Sequence, residues 1–146
     1  FQIMQGIETL GPRMQRHVEN TRAIVDFLND HASVKKVIYP ELNDHPDNKL
    51  AAELLPNGVG AVFTFELKDG RQAGKKFIEK LKIFSHLANV GDAKSLVIHP
   101  ASTTHFRMSD DDLLSAGITP GTVRLSIGLE NIDDLKQDLK QALKFL

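Results

Sequence analysis

The sequence predicts one α/β domain of the two-layer α+β type, in which helices cover a small sheet. Two kinds of apolar spacing point to this class. Segments whose apolar residues lie three and four positions apart, as in amphipathic helices, alternate with short segments in which every second residue is apolar, as in strands with one buried face. The chain has 146 residues, 41% of them hydrophobic and 25% charged, which is enough for a single domain with its own core.

The first helix is predicted over residues 3–28, where apolar residues recur at helical spacing. Gly11 and Pro12 interrupt this spacing, so we expect either a kink or a new helix with Pro12 in its first turn. A strand is predicted at 34–39, and Pro40 ends it.

The later elements follow from the same two spacings and from turn and capping residues. Asn131 is expected to cap the last helix, because a short polar side chain before an acidic first turn is typical of a helix start. We predict helices at 44–55, 70–81, 109–117 and 131–146, and strands at 61–67, 83–84, 95–98 and 122–129.

Composition limits the kinds of function. The net charge of −1 gives no case for nucleic acid, which would need a basic patch, and no apolar run approaches the roughly 18 residues of a membrane-spanning helix. The chain has no cysteine, which excludes disulfides, thiolate metal sites and cysteine nucleophiles and fits a cytoplasmic protein. Because it begins at Phe1, already within an apolar periodic segment, we expect it to be part of a longer protein.

A lone arginine lies on the polar face of the last predicted strand. Val123 and Leu125 fall on the opposite, apolar face, so a shift of one residue would bury Arg124. Its neighbours on the polar face are small: Thr122, Ser126 and Gly128. A guanidinium with room beside it suits a carboxylate or phosphate, which it binds through a planar fork of donors. The alternative is an ordinary surface or ion-paired arginine.

Residues 85–105 combine many polar and small residues between two core-forming segments. The turn Asn-Val-Gly-Asp at 89–92 pairs residues that tolerate unusual backbone angles with an Asp that can bind nearby amides. Residues 102–104 offer three consecutive hydroxyls. Such loops on a rigid scaffold commonly carry binding groups. The alternative is a structural loop that satisfies its own backbone.

Three histidines of this segment raise the question of a metal site: His86, His99 and His105. Their spacing matches no compact ligand pattern, and no acidic residue stands at ligand spacing, so we expect structural roles for them. The lysines around the helix at 70–81 are expected to form a solvated face. A lysine that forms a Schiff base must be desolvated or activated by its neighbours, and none in this chain has such a context.

Two long motifs resemble the Cys/Met-metabolism family of pyridoxal-phosphate enzymes. They are H-L-A-N-V-G-D-A-K-S-L-V-I-H-P-A-S-T-T-H at 86–105 and V-R-L-S-I-G-L-E at 123–130. The segments 6–17, 54–67 and 132–143 agree with the family as well. The resemblance therefore covers essentially the whole chain, and its two central motifs are long and specific.

The resemblance implies that residues 1–146 are the C-terminal small domain of a fold-type I enzyme, with a mixed or largely antiparallel sheet, and that this domain completes the substrate site. A larger N-terminal domain, absent from this chain, would hold the cofactor pyridoxal phosphate on a lysine. The resemblance assigns the substrate α-carboxylate to Arg124, and it implies that Asn89 and Thr104 either support that arginine or line the same pocket. It implies no catalytic, cofactor-binding or metal-binding residue in this chain.

Many lyases of the family carry an S-L-G-G-type turn where this chain has N-V-G-D, and this difference points to the sulfhydrylases. The resemblance then implies a transferase that replaces the acetyl group of O-acetyl-L-homoserine with sulfide or a thiol, giving homocysteine or methionine. It also implies a cytoplasmic homotetramer, and the isolated chain is expected to be inactive.

Two alternatives stay open. The longer protein could be a cystathionine γ-synthase, a methionine γ-lyase or an O-succinylhomoserine sulfhydrylase, because the leaving-group pocket lies partly in the absent domain. The chain could instead be a stand-alone module that binds an amino acid through Arg124 and catalyses nothing.

Overall fold

Helices and strands alternate along the chain in the predicted order. The computed structural model describes residues 1–146. The helices are α1 (Gln2–Glu8), α2 (Leu10–Asn29), α3 (Asn48–Leu54), α4 (Gly70–Lys80), α5 (Asp110–Ser115) and α6 (Ile132–Leu143), with a short 3₁₀ turn at Pro100–Ser102. The strands are β1 (Val34–Ile38), β2 (Val62–Leu67), β3 (Ser85–His86), β4 (Leu96–Ile98) and β5 (Thr122–Ser126). No helix is both long and apolar enough to span a lipid bilayer.

The five strands form one sheet in the order β1-β2-β5-β4-β3. The pairs β1-β2, β2-β5 and β4-β5 are antiparallel, and only the short pair β3-β4 is parallel. The sheet is therefore mixed and largely antiparallel, as expected. The strand that carries Arg124 lies at its centre and is paired on both sides.

The core lies between one face of this sheet and the helices α2, α4 and α6. Along β2 and along most of β5, buried residues alternate with half-buried ones. The buried residues belong to the core, and each large apolar side chain there contributes about 1.5–3 kcal/mol. They include Ile24, Leu28, Phe65, Phe77, Leu125, Leu135 and Leu139. The half-buried residues, Arg124 among them, lie on the opposite face.

The N-terminal apolar stripe is buried only in its second half. The helix breaks at Thr9 and starts again at Leu10, which places Pro12 in the first turn of α2, one of the two expected arrangements. Val18 and Leu28 of α2 are buried, whereas Ile3 is 79% exposed and Leu10 44% exposed. The helical spacing is thus correct, but nothing in this chain covers its first part.

Two strand boundaries differ from the prediction. The strand predicted at 83–84 lies instead at Ser85–His86. The reason is that the Asp138 carboxylate accepts the backbone N–H groups of Lys82 and Ile83, at 3.0 and 2.8 Å, so these amides are already used. Phe84 still packs in the core.

The last strand ends at Ser126, three residues earlier than predicted. Beyond it, the N–H of Gly128 donates to the Ser95 hydroxyl and that of Leu129 to the carbonyl oxygen of Ala93. The backbone is therefore bound outside the ladder. The predicted cap of the following helix is confirmed, because the Asn131 side chain accepts the N–H of Asp133 at 2.8 Å.

Candidate functional site

Arg124 lies in the middle of the central strand, on the face that the helices leave uncovered. Thr64 of β2 and Ile98 of β4 stand directly opposite it on the two neighbouring strands. The side chain is half-buried, and its guanidinium makes no hydrogen bond or ion pair within the chain. Arg124 is therefore not an ion-paired arginine, which was part of the alternative to ligand binding. The planar donor fork is available to a ligand.

A cavity of about 330 Å³ lies at one end of β2 and β5, where they meet the first half of α2, and Arg124 itself does not line it. Val62 and Ser126, a cross-strand pair of β2 and β5, form part of its wall. This pair is two residues along the strands from Thr64 and Arg124, a distance of about 7 Å. Residues 90–92 also line the cavity. The predicted polar turn and the last residue of the arginine strand thus border the same space.

We call residues 89–94 the first site loop. Asn89 is exposed, and its side-chain oxygen accepts the N–H of Val90 at 2.8 Å, while its amide NH₂ makes no bond within the chain. Gly91 has a φ of 82°, which favours glycine because a side chain would be strained there. The Asp92 carboxylate accepts the N–H of Lys94 at 2.9 Å. The loop therefore has the turn chemistry that the sequence predicted.

The first site loop is anchored at its end by a buried hydrogen-bond network. Ser95 is fully buried; its N–H donates to one Glu130 carboxylate oxygen at 2.7 Å, and its hydroxyl donates to the other at 2.8 Å. The same hydroxyl accepts the N–H of Gly128 at 2.8 Å. A Cβ on Gly128 would collide with the Glu130 carboxylate and the Ser95 amide. This network joins the loop to the chain that follows β5.

Helix α2 binds the same stretch from the other side. His17 Nδ1 lies 2.6 Å from the carbonyl oxygen of Ile127, and the Asn20 side chain donates to the carbonyl oxygens of Gly128 and Glu130, both at 3.0 Å. Sequence reasoning missed these contacts. The one available signal was two polar residues, His17 and Asn20, on the side of α2 that carries the buried stripe.

We call residues 103–108 the second site loop. Thr104 is exposed, and its hydroxyl lies 2.8 Å from Nδ1 of His105. No hydrogen bond connects Thr104, Asn89 and Arg124 with one another. The structure places Asn89 in the first site loop, whose residues 90–92 line the cavity. It places Thr104 in the second site loop, six residues after Ile98, which pairs with Arg124.

His99 is buried and satisfied on both ring nitrogens. Nε2 lies 2.8 Å from the Pro120 carbonyl oxygen, which identifies it as the protonated nitrogen, and Nδ1 accepts the Ser102 hydroxyl at 2.8 Å. Burial lowers the pKa of His99 below its ordinary value, and the charge of Arg71 adds to this, against the opposing effect of the Pro120 hydrogen bond. A Cβ on Gly74 would overlap the ring. His99 is therefore packed as a neutral structural histidine.

The other two histidines of the segment, His86 and His105, lie in different surroundings. His86 is an exposed residue of the edge strand β3, and His105 contacts Thr104. No group of three histidine or acidic side chains converges anywhere in the chain.

The chain does not supply a lysine suited to a Schiff base. Every lysine is exposed except Lys136, which is half-buried on α6 beside a groove it shares with other basic and amide side chains. A Schiff-base lysine needs desolvation or an activating neighbour. Within this chain, no lysine side chain is thus desolvated in the way that a Schiff-base lysine requires.

Comparison with known proteins gives one consistent family. The model of the Cys/Met metabolism PLP-dependent enzymes matches residues 1–144. The chain is 50% identical over 145 residues to O-acetyl-L-homoserine sulfhydrylase of Leptospira meyeri, covering 99% of the chain and 33% of the relative. It is 45% identical over 144 residues to an L-methionine gamma-lyase of Fusobacterium nucleatum, covering 99% of the chain and 36% of that relative.

A solved structure agrees with this relationship. The chain matches a crystal structure assigned as an O-acetylhomoserine (thiol)-lyase from Campylobacter jejuni, with a TM-score of 0.87 and 44% identity over 96% of the chain and 33% of that protein. That protein carries an N'-pyridoxyl-lysine-5'-monophosphate. The present chain thus spans about a third of the length of the relatives it matches. By sequence and by fold, the chain belongs to the Cys/Met metabolism family of pyridoxal-phosphate-dependent enzymes.

Proposed function

We propose that this chain is the substrate-site-completing part of an O-acetylhomoserine sulfhydrylase. The whole protein would replace the acetyl group of O-acetyl-L-homoserine with sulfide or a thiol, giving homocysteine or methionine. Similarity to the Leptospira meyeri sulfhydrylase, at 50% identity, supports this reaction, as does the N-V-G-D turn of the first site loop.

The observation that carries the proposal is the state of Arg124. The Arg124 guanidinium is half-buried and makes no bond within its own chain. It has therefore lost part of its hydration free energy without gaining a charged partner. An α-carboxylate matches its planar fork through two parallel hydrogen bonds. We therefore assign the substrate carboxylate to Arg124, with Asn89 and Thr104 lining the same pocket.

The contribution of these residues to the reaction is orientation. Pyridoxal phosphate, when bound, supplies an electron sink for chemistry at the α- and β-carbons. Arg124 would hold the amino acid at one end, so that its reacting carbons stay in one place relative to the cofactor. Small misplacements of a bound substrate cost large factors in rate. The free amide of Asn89 can donate a further hydrogen bond to the substrate.

The exposed apolar stripe of α1 and α2 supports the assignment of residues 1–146 to a C-terminal domain. Ile3 and Ile7 are 79% and 62% exposed, and contiguous apolar surface of this kind marks a contact with another part of a protein. We propose that the remaining two thirds of the protein cover it and hold the cofactor. The homotetramer and the cytoplasmic location stay predictions of the family resemblance.

A second candidate function is methionine γ-lyase. The 45% identity to the Fusobacterium nucleatum enzyme favours it specifically. The two reactions separate in a direct assay of the full-length protein. A sulfhydrylase consumes O-acetylhomoserine and sulfide to form homocysteine, whereas a lyase releases a thiol from methionine without a second substrate.

Arg124→Ala in the full-length protein tests the proposed site. Loss of a charge-assisted bidentate pair, at about 1.5–3 kcal/mol per hydrogen bond, predicts a fall of roughly 10²-fold or more in kcat/KM for the amino-acid substrate. Arg124→Lys should recover only part, since an ammonium keeps the charge without the fork.

Lys36→Ala is the matched control, because Lys36 is an exposed cation on the edge strand of the same sheet. It should leave kcat/KM unchanged. Wild-type kinetics of Arg124→Ala, or loss of the fold in that variant, would refute the carboxylate assignment.

A further inference from the structure

One side chain from α4 ties the second site loop to the domain at both of its ends. Arg71 lies in the first turn of α4. Its guanidinium donates to the carbonyl oxygen of Ala101 on the near side of the loop, and at 3.1 Å to that of Met108 at the far end. It also donates to one carboxylate oxygen of Asp110, through Nη2 at 2.6 Å and Nε at 3.1 Å.

Between these two anchors the loop is held by local turns alone. The N–H of His105 donates to the carbonyl oxygen of Pro100 at 2.9 Å, and that of Met108 to the carbonyl oxygen of His105 at 3.0 Å. Thr104 and Phe106 are exposed. Beyond these turns, no hydrogen bond from the rest of the domain reaches residues 104–107, so we expect the position of Thr104 to depend on where the ends are held.

The near end is held directly by buried groups, whereas at the far end the first fully buried side chain, Leu113, lies five residues beyond Met108. Ala101 is fully buried, and His99 just before it bonds to Pro120. At the far end, the buried side chain of Leu113 anchors α5. The hydrogen bond that Met108 receives from outside the loop comes from Arg71. The arginine fork thus joins the two loop ends through hydrogen bonds.

We propose that Arg71 is a positioning residue for the substrate-carboxylate site. The inference rests on the proposed function, in which Thr104 lines the pocket of Arg124. Arg71 does not touch the substrate; it acts through the two backbone carbonyls that it bridges. A lysine cannot replace it fully, because a single ammonium cannot present donors in the fork geometry that reaches both carbonyls and the carboxylate.

The ion pair with Asp110 is the smaller part of this arrangement. The Asp110 side chain is 57% exposed and that of Arg71 29% exposed, and exposed pairs contribute little. Asp110→Asn keeps an acceptor oxygen and both carbonyl contacts. It should therefore change the site much less than removal of the arginine.

The experiment compares Arg71→Ala, Arg71→Lys and Asp110→Asn in the full-length protein loaded with its cofactor. Two quantities are measured: steady-state kcat and KM for O-acetylhomoserine, and amide hydrogen exchange of a peptide spanning 101–108. Arg71→Ala should lower kcat/KM about 10-fold, mainly through KM, and should speed exchange in that peptide about 10-fold or more. Arg71→Lys should fall between it and Asp110→Asn.

Lys75→Ala is the matched control, since Lys75 is an exposed cation of the same helix without a partner. It should match the wild type in both measurements. Unchanged exchange in Arg71→Ala would show that the fork does not hold the loop. Faster exchange with wild-type KM would show that the loop does not position the site. Either result overturns the inference.

If Arg71→Ala does not fold, Arg71→Lys decides in the same way: a raised KM with faster loop exchange supports the inference, and wild-type values of either overturn it. These outcomes leave the proposed function intact. That function fails on a separate result, wild-type kinetics in Arg124→Ala.

Discussion

The two site loops flank the same short strand, β4, yet they are fixed in different ways. The first site loop ends in a buried network in which Ser95 and Glu130 satisfy three hydrogen bonds at 2.7–2.8 Å. The second is bridged by Arg71, whose main charged partner is mostly exposed. A buried network cannot be opened without leaving polar groups unpaired, whereas water can take the place of the exposed Asp110 carboxylate beside Arg71. The first loop is thus tied directly to the folded core through Ser95, and we expect the second to open at a lower free energy.

The largest effect on stability is expected from the Ser95-Glu130 network. Glu130→Ala leaves the Ser95 amide and hydroxyl without acceptors, and each unsatisfied buried group costs about 1–3 kcal/mol. Hydrogen exchange of the β5 amides in the full-length protein should report a loss of about 2–5 kcal/mol in the free energy of opening this domain.

Glu53→Ala provides the control, because Glu53 is an exposed carboxylate on α3 and should change the free energy by less than about 0.5 kcal/mol. If the β5 amides exchanged no faster in Glu130→Ala than in Glu53→Ala, the buried network would not anchor the first site loop. The difference between the two loops would then be refuted.

An intermediate effect, on activity alone, is expected from Asn89→Ala. The variant removes the free amide NH₂ together with the oxygen that accepts the exposed Val90 N–H, and it keeps the Ser95 anchor. We expect kcat/KM to fall about 10-fold, as for one hydrogen bond to a charged group, with unchanged exchange in β5. Lys94→Ala, an exposed change in the same loop, should retain full activity. Equal activity of Asn89→Ala and Lys94→Ala would show that the first site loop has only a structural role.

The smallest effect concerns pH and the buried His99. Because burial lowers its pKa in the folded state, the unfolded state binds the proton more readily. Its stabilising contribution is therefore complete above the ordinary histidine pKa of about 6.5 and is lost as the pH falls below that value. Calorimetry of the full-length protein between about pH 7.5 and 5.5 should show a steeper acid loss for the wild type than for His99→Gln.

His86→Asn, at an exposed histidine of the same segment, should follow the wild-type pH profile. Parallel profiles of the wild type and His99→Gln would mean that His99 titrates normally and does not couple protonation to folding.

Periodicity was sufficient to predict the order of the elements and the direction of Arg124, whereas the sheet type was implied by the family resemblance. It failed where a side chain distant in sequence binds the backbone. Asp138 captures the amides of Lys82 and Ile83, 56 and 55 residues earlier, and moves the predicted strand. Hydrogen bonds between residues so far apart in sequence form only in the folded chain, so no local sequence pattern predicts them.

The same limit applies to the site. Alternation along the last strand was enough to predict which face carries Arg124, and turn chemistry to predict the first site loop. The anchors were not predictable, because Arg71 meets its partners across 30 to 39 residues and Glu130 meets Ser95 across 35. From the local sequence alone, Arg71 and Glu130 are indistinguishable from ordinary charged surface residues.

The packing of Gly74 against His99 has a consequence for engineering. Replacing a helical glycine by alanine is a standard route to greater thermal tolerance, worth up to about 1 kcal/mol where space allows. At Gly11 of α2 a new Cβ meets nothing within 4 Å, whereas at Gly74 it would occupy the space of the imidazole. A sequence library built on helix propensity alone would therefore accept both changes, although the one at Gly74 would dislodge the histidine that holds the start of the second site loop.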